Sequence, residues 1–279
     1  MSIPSQAPYP ENVILPCPLK QDRVLRMSTP LARLLPALKT ICSQCSLREL
    51  CLPMGLENED IKRLDTIIDR RQRVTAGQHL YRVRDQFEAL YAVRNGFFKT
   101  YEINNDGHEQ INGFHMTGEI MGLDAISADN HTCNAIALED CEVCIIPFHR
   151  LEQVLGDIPS LMRQFHRMMS REITADHGMM MLLGTMSAEE KLAAFLLNLS
   201  QRLGARGLSP SVFRLSMSRE EIGSYLGLKL ETVSRTFSKL QDEGLLRVDR
   251  RNLVISDLAG LQRLAGCATS APRPGSNRT

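Results

Sequence analysis

No stretch of the 279-residue chain approaches the roughly 20 consecutive apolar residues that a membrane-spanning helix needs. The N-terminus lacks a basic patch followed by an apolar run, so no secretory leader is expected and the protein should be cytoplasmic. No nucleophile–base pair or nucleotide-phosphate motif stands out, and catalysis is not expected. Net charge is also nearly absent, at +1. That balance conceals a segregation: residues 191–255 hold 11 Lys/Arg against 6 Asp/Glu, leaving 22 against 26 elsewhere. A basic segment beside an acidic remainder suggests that one part meets a polyanion. The hydrophobic content of 43% is enough to give two ordinary domains a core each.

Residues 1–41 are rich in proline and read as a flexible arm, with one short helix expected around Leu31 to Leu38. Within 42–156, brief β-branched and aromatic segments alternate with turn signals such as Thr75-Ala76-Gly77 and Asn104-Asn105-Asp106-Gly107. Turns at this frequency predict a small antiparallel barrel or roll after one short helix. Residues 157–186 predict a long helix, with Asp157 as its N-cap and Pro159 in its first turn. Its apolar stripe runs through Met162, Phe165, Met169, Ile173, Met180 and Leu183. Such a helix packs on its own barrel or forms a dimer seam. Glu172 and Asp176 lie on or beside the stripe, so on a seam each acid would face its symmetry mate and weaken the dimer. Glu172, Ile173, Asp176 and Met180 are therefore the candidate dimer-switch residues. Within 187–267 an amphipathic helix from Ser187 to Leu203 runs into the basic region, which ends in a hairpin pattern near Leu245–Val248 and Leu253–Ile255, and 268–279 read as a disordered tail. The fold class is α+β.

The segment 217–240, MSREEIGSYLGLKLETVSRTFSKL, predicts two helices around a tight turn. Ser218 and Glu221 form a capping box, Gly223 allows close helix crossing, and Gly227 supplies the positive φ that ends the first helix. Leu230, Val233, Phe237 and Leu240 make the buried face of the second helix. Glu231, Ser234, Arg235 and Ser238 occupy the opposite face. Arg235 can fork onto guanine, Glu231 can accept from cytosine N4, and Ser234 can adapt to either edge. Thr232 joins this DNA-facing set, while Lys229, Arg219 and Lys239 suit phosphates. Alternatively the pair is merely a solvated helical hairpin. Cap, small residue, turn glycine and local basicity coincide, however, and favour double-stranded DNA as the partner.

The eight cysteines are Cys17, Cys42, Cys45, Cys51, Cys133, Cys141, Cys144 and Cys267. Structural disulfides are the least expected use in the cytoplasm. Cys42, Cys45 and Cys51 fall within ten residues, a spacing that can wrap one face of a zinc ion or an iron–sulfur cluster. A fourth ligand must come from afar, from among Cys133, Cys141 and Cys144. Taken singly, Cys17, Cys133, Cys141 and Cys267 read equally as small buried hydrophobes.

From Cys42 to about Gly266 the chain resembles the oxygen-sensing fumarate and nitrate reduction (FNR) regulators, within the superfamily of the cAMP receptor protein. The resemblance rests on CSQCSLRELCLP, LYAVRNGFFKTY, DGHEQINGFHMTGEIMGLDAI, ALEDCEVCIIPF, AEEKLAAFLLNLSQR and SREEIGSYLGLKLETVSR. It implies a cyclic-nucleotide-binding-like β-roll, a dimerisation helix and a C-terminal winged helix-turn-helix. It also implies an oxygen-labile [4Fe-4S] cluster on Cys42, Cys45, Cys51 and Cys144, the last selected because it precedes Ile145-Ile146-Pro147-Phe148. The family's base-reading pattern is met by Glu231, Ser234 and Arg235, implying a palindrome of the TTGAT-N4-ATCAA type. Asp176 matches an acidic position that opposes dimerisation in air. The implied protein is a homodimer, mainly an activator of anaerobic metabolism genes, that meets RNA polymerase; a structural zinc at the same cysteines would instead make it insensitive to oxygen. Two features depart from the pattern: a long arm containing Cys17, and His108 where the polymerase-contact loop usually has an acid. Where nucleotide binders carry an Arg-Ser pair this chain has Cys133-Asn134, which argues against cAMP binding.

Overall fold

The computed structural model describes residues 42–104 and 106–266. The arm 1–41 with its expected Leu31–Leu38 helix and Cys17, and the tail 268–279 together with Cys267, lie outside the described residues.

A short 3-10 turn, Cys42–Gln44, opens the described chain and is held by Asp65, which accepts from the amides of Cys42 and Ser43 and from Ser43 Oγ at 2.7 Å. Asp65 ends helix α1, Asn58–Asp65, whose Ile61 and Leu64 face inward. Eight strands follow: β1 Arg71–Val74, β2 His79–Tyr81, β3 Ala89–Asn95, β4 Phe97–Ile103, β5 Glu109–Met116, β6 Ile120–Met121, β7 Asn134–Ala137 and β8 Cys141–Pro147. They pair antiparallel into two four-stranded sheets, ordered β1-β8-β3-β6 and β2-β7-β4-β5, which form the expected roll.

The strand β8 runs directly into α2, Phe148–Asp157, a helix not expected from the sequence, where the long helix is expected only from 157 onward. Asp157 is the last residue of α2 rather than a cap. The long helix α3, Pro159–Thr185, is instead preceded by Ile158 at φ −123°, ψ 94°. Proline explains the break: it pushes the residue before it into an extended conformation and is itself welcome at the first helical position.

Ser187 and Glu190 form a capping box that starts α4, Ala188–Gly204. Next come β9 Val212–Arg214, α5 Arg219–Leu226, α6 Leu230–Asp242, β10 Leu246–Asp249, β11 Asn252–Ile255 and α7 Leu258–Leu264. β10, β11 and β9 pair as a small antiparallel sheet, giving a winged helix-turn-helix whose third strand the sequence reading missed.

The hydrophobic clusters tie function to fold. One joins Cys42, Leu52, Leu64 and Cys144 to Leu151, Leu155, Leu161 and Phe165, so the cysteine segment and the first turns of α3 share a core. Another joins Ile111 and Phe114 of the roll to Leu192, Leu196, Val233 and Phe237 of the C-terminal region.

Candidate nucleic-acid interface and cysteine pocket

The helix pair is built by the local chemistry read from the sequence. Ser218 Oγ accepts from Glu221 N at 3.1 Å while Glu221 Oε2 accepts from Ser218 N at 2.7 Å. Gly227 closes α5 in the left-handed region at φ +64°. At Gly223 an added Cβ would lie 2.6 Å from Leu228 O, so only glycine allows the turn to pack this closely. Val233, Phe237 and Leu240 are buried, whereas Leu230, expected beside them, is 45% exposed. It is the first residue of α6 and points off the end of the packed face.

Glu231 and Arg235 are exposed and Thr232 and Ser234 half-buried. Among the described residues neither Glu231 nor Arg235 has an ion-pair partner within the chain, so both charged heads remain free for a ligand. Lys229 is exposed. Arg219 sits 3.9 Å above the Phe237 ring with one guanidinium nitrogen buried and unpartnered. Lys239 pairs with Glu189 at 2.6 Å, which compromises it as a free phosphate contact.

Three groups fix this reader against the roll. Glu119 takes Arg202 at 2.6 and 3.0 Å and Arg206 at 2.6 Å. Lys99 bridges Glu109 and Glu221, each at 3.1 Å. Ser224 Oγ accepts from Ile111 N at 2.9 Å and donates to Glu109 O at 2.8 Å, satisfying the open edge of β5. None of these is legible in the sequence. Their partners are far apart in the chain, and no local spacing signals them.

Residues 170–178 of α3 are all exposed, and with them the predicted Glu172, Ile173 and Asp176; Met180 is 61% and Met181 69% exposed. This helix face borders a cleft of about 860 Å³ that also reaches Cys133, Glu119, Arg202 and Tyr225. Although Glu172 is exposed as a residue, it lines the cleft, and partial desolvation there, together with Glu119 and Asp176, raises its pKa above the ordinary value. Where nucleotide binders hold phosphate, Asn134 instead accepts from Val83 N at 3.2 Å. Arg202, the guanidinium among the residues lining the cleft, is engaged by Glu119.

Cys42, Cys45, Cys51 and Cys144 all line one pocket, walled by Leu52, Leu64, Ile68 and Ile146. Cys133 and Cys141 stand apart in the core of the roll. Burial pushes the Cys51 thiol up to about 12, and burial with the neighbouring sulfurs raises Cys42 as well. Without a metal these thiols stay protonated at neutral pH, so a bound metal must displace their protons. Among the described residues no three Cys, His, Asp or Glu side chains are close enough to grip a single metal ion. Four soft sulfurs in an apolar pocket are a donor set that fits an iron–sulfur cluster as well as zinc.

Residues 71–157 match the cyclic nucleotide-binding domain and residues 190–264 the Crp-like helix-turn-helix domain. The chain is 48% identical to the transcriptional regulatory protein btr of Bordetella pertussis, over 81% of this chain and 93% of that protein. The chain belongs to the CRP/FNR family of transcription regulators. Other CRP/FNR members agree: the transcriptional activator protein Anr of Pseudomonas protegens is 47% identical over 81% of this chain and 92% of its own length. The fumarate and nitrate reduction regulatory protein of Escherichia coli K12 is 44% identical over 81% and 90%. The solved structure of FixK2 from Bradyrhizobium japonicum superposes with a TM-score of 0.66 at 32% identity, covering 72% of this chain and 98% of that one. This CRP/FNR protein is thus a transcription regulator with a DNA-binding helix-turn-helix, and not an enzyme. No helix among its described residues is long and apolar enough to cross a membrane.

Proposed function

We propose that the protein is an oxygen-responsive activator of anaerobic metabolism genes that binds a TTGAT-N4-ATCAA-like palindrome as a homodimer. The observation that carries this reading is the convergence of Cys42, Cys45, Cys51 and Cys144 on a pocket whose wall is continuous with the core under α3. When bound there, a [4Fe-4S] cluster supplies an oxygen-labile cross-link between the segment after Cys42 and strand β8. The chain does the rest. With the cross-link in place, the turns from Cys42 to Leu56 hold α1 against α2 and α3, where Ser160 Oγ donates to Asp60 Oδ2 at 2.7 Å. The first turns of α3 are thereby set in one position, and Ile173, Met180 and Leu183 can meet a second copy.

Glu172 and Asp176 oppose that meeting, so the dimer is held only while the cysteine segment supports it. In the dimer two α6 helices lie one DNA turn apart, about 34 Å. Glu231, Ser234 and Arg235 read base edges, Thr232 adjoins them, and Lys229 and Arg219 meet phosphates. When oxygen removes the cross-link, the second half-site contact is no longer intramolecular and affinity falls. RNA polymerase is the downstream partner, and cAMP is not a ligand of the cleft.

Anaerobic purification, visible absorption and iron and sulfide analysis before and after air test the reading, with sedimentation on the same samples. A coloured dimer that bleaches and dissociates in air is expected. A colourless zinc protein that stays dimeric in air would sink the proposal.

A further inference from the structure

Two arginines flank the cysteine pocket without a part in the mechanism above. Arg94 lies where the ladder between β3 and β8 slips: Val93 pairs with Val143, and the next pair is Asn95 with Glu142. A bulge leaves its extra residue unpaired and re-aims the side chain. Here the Arg94 Nε meets Glu142 Oε2 at 2.8 Å and its Nη1 donates to Cys45 Sγ at 3.8 Å. Glu142 anchors one corner of the planar fork, which leaves another corner on the sulfur. Arg71 stands directly across the β1–β8 ladder from Cys144, and opposite residues share a sheet face. Its Nε is buried without a hydrogen-bond partner. A buried, unpartnered guanidinium N–H is costly unless an acceptor or anion meets it. Arg48 also lines the pocket but is turned to Glu49 at 3.1 Å.

Four deprotonated cysteines concentrate negative charge in an apolar pocket, beyond what an iron–sulfur core offsets. We infer that Arg71 and Arg94 are positioning residues of the four-cysteine site, a cationic bracket that holds Cys144 and Cys45 in place. This rests on the cluster reading above. The bulge exists to turn Arg94 inward, and the orphan nitrogen of Arg71 acquires its partner when the site is charged.

The test uses the full chain reconstituted anaerobically with iron and sulfide, as wild type and as Arg94→Met, Arg94→Lys, Arg71→Met and Glu142→Gln. Arg70→Met serves as control, because Arg70 is exposed and only 4.0 Å from Asp69. Iron and sulfide content, the decay of the visible band in air and circular dichroism are read together. Arg94→Met and Arg71→Met should each lose the band about tenfold faster than wild type, the usual scale for a residue that supports a metal ligand. Arg94→Lys should recover most of the loss, and Arg70→Met should match wild type. Wild-type iron content and decay in both methionine variants would overturn the bracket. Where Arg94→Met does not fold, Glu142→Gln decides: faster decay supports the anchored guanidinium, and a wild-type rate overturns it. A wild-type chain that binds no iron or sulfide overturns the cluster reading and the bracket together. That outcome is distinct from failure of the arginines alone, which leaves wild-type loading intact.

Discussion

Replacing Glu119 by alanine should cost the protein about 3–5 kcal/mol, the usual range when one partner of a buried ion pair is removed. The carboxylate is 23% exposed and takes both Arg202 and Arg206, whose side chains are 23% and 9% exposed. It also accepts from Met116 N at 3.0 Å. Without it two guanidiniums remain side by side at the junction of the roll and α4. For a domain of about 150–250 residues each kcal/mol moves Tm by about 2–4 °C, so the melting point should fall by about 6–20 °C. Thermal melts at pH 7 measure this directly. Arg202→Met and Arg206→Met added to Glu119→Ala should restore part of the loss, because they remove the uncompensated charge. A fall below about 2 °C for Glu119→Ala would refute the argument, since it would place the pair in the weak class of exposed ion pairs. The pH dependence has a definite sign. Burial alone would raise the Glu119 pKa, but Arg202, Arg206 and His115 hold it below its ordinary 4.5. Its stabilisation is therefore complete above pH 4.5 and is lost as pH falls through the lower folded value.

His115 should act in the window above that one: burial, reinforced by Arg202, lowers it from 6.5 to about 4. The unfolded chain binds the extra proton first, so stability should fall as pH drops from 6.5 towards 4, by up to about 3 kcal/mol. In His115→Gln, denaturant titrations at a series of pH values should show that slope removed. Gly223→Ala should lower stability by about 1–3 kcal/mol and weaken DNA binding, because its Cβ meets a backbone oxygen rather than a yielding side chain; an unchanged melt would show that the turn relaxes freely. Asp176→Ala should give a dimer in air by sedimentation, and a monomer would contradict the seam. Glu231→Ala should relax preference at one base pair in binding-site selection, at about 1–3 kcal/mol, whereas a uniform loss over all sequences would make Glu231 structural.

The helix-turn-helix was legible because its signals are local. Ser218 and Glu221 are one turn apart, Gly227 must adopt positive φ, and Val233, Phe237 and Leu240 repeat at helical spacing. The hairpin of β10 and β11 was visible for the same reason. Leu230 was misplaced because periodicity cannot tell that the first residue of a helix overhangs its packing partner. Asp157 was misread because a capping residue is equally at home at the end of a helix, and Pro159 marks the boundary more strongly than any cap. The clamp at Glu119 and the bulge at Arg94 left no pattern. Arg94-Asn95-Gly96 reads as a simple turn, although the slip in register happens within it.

The residue types and short spacings alone determined that this chain carries a capped helix pair with an exposed reading face, and three clustered thiols able to hold a metal. Local hydrogen bonds and backbone sterics act over a few residues, so sequence encodes them directly. Only the tertiary structure decided that Cys144 lies with Cys42, Cys45 and Cys51 in one pocket, that this pocket shares a core with the start of α3, that Arg94 lines it and that Arg71 stands across the ladder from Cys144. Strand order and register set those approaches, and they are fixed by the packing of the whole roll rather than by any segment of it.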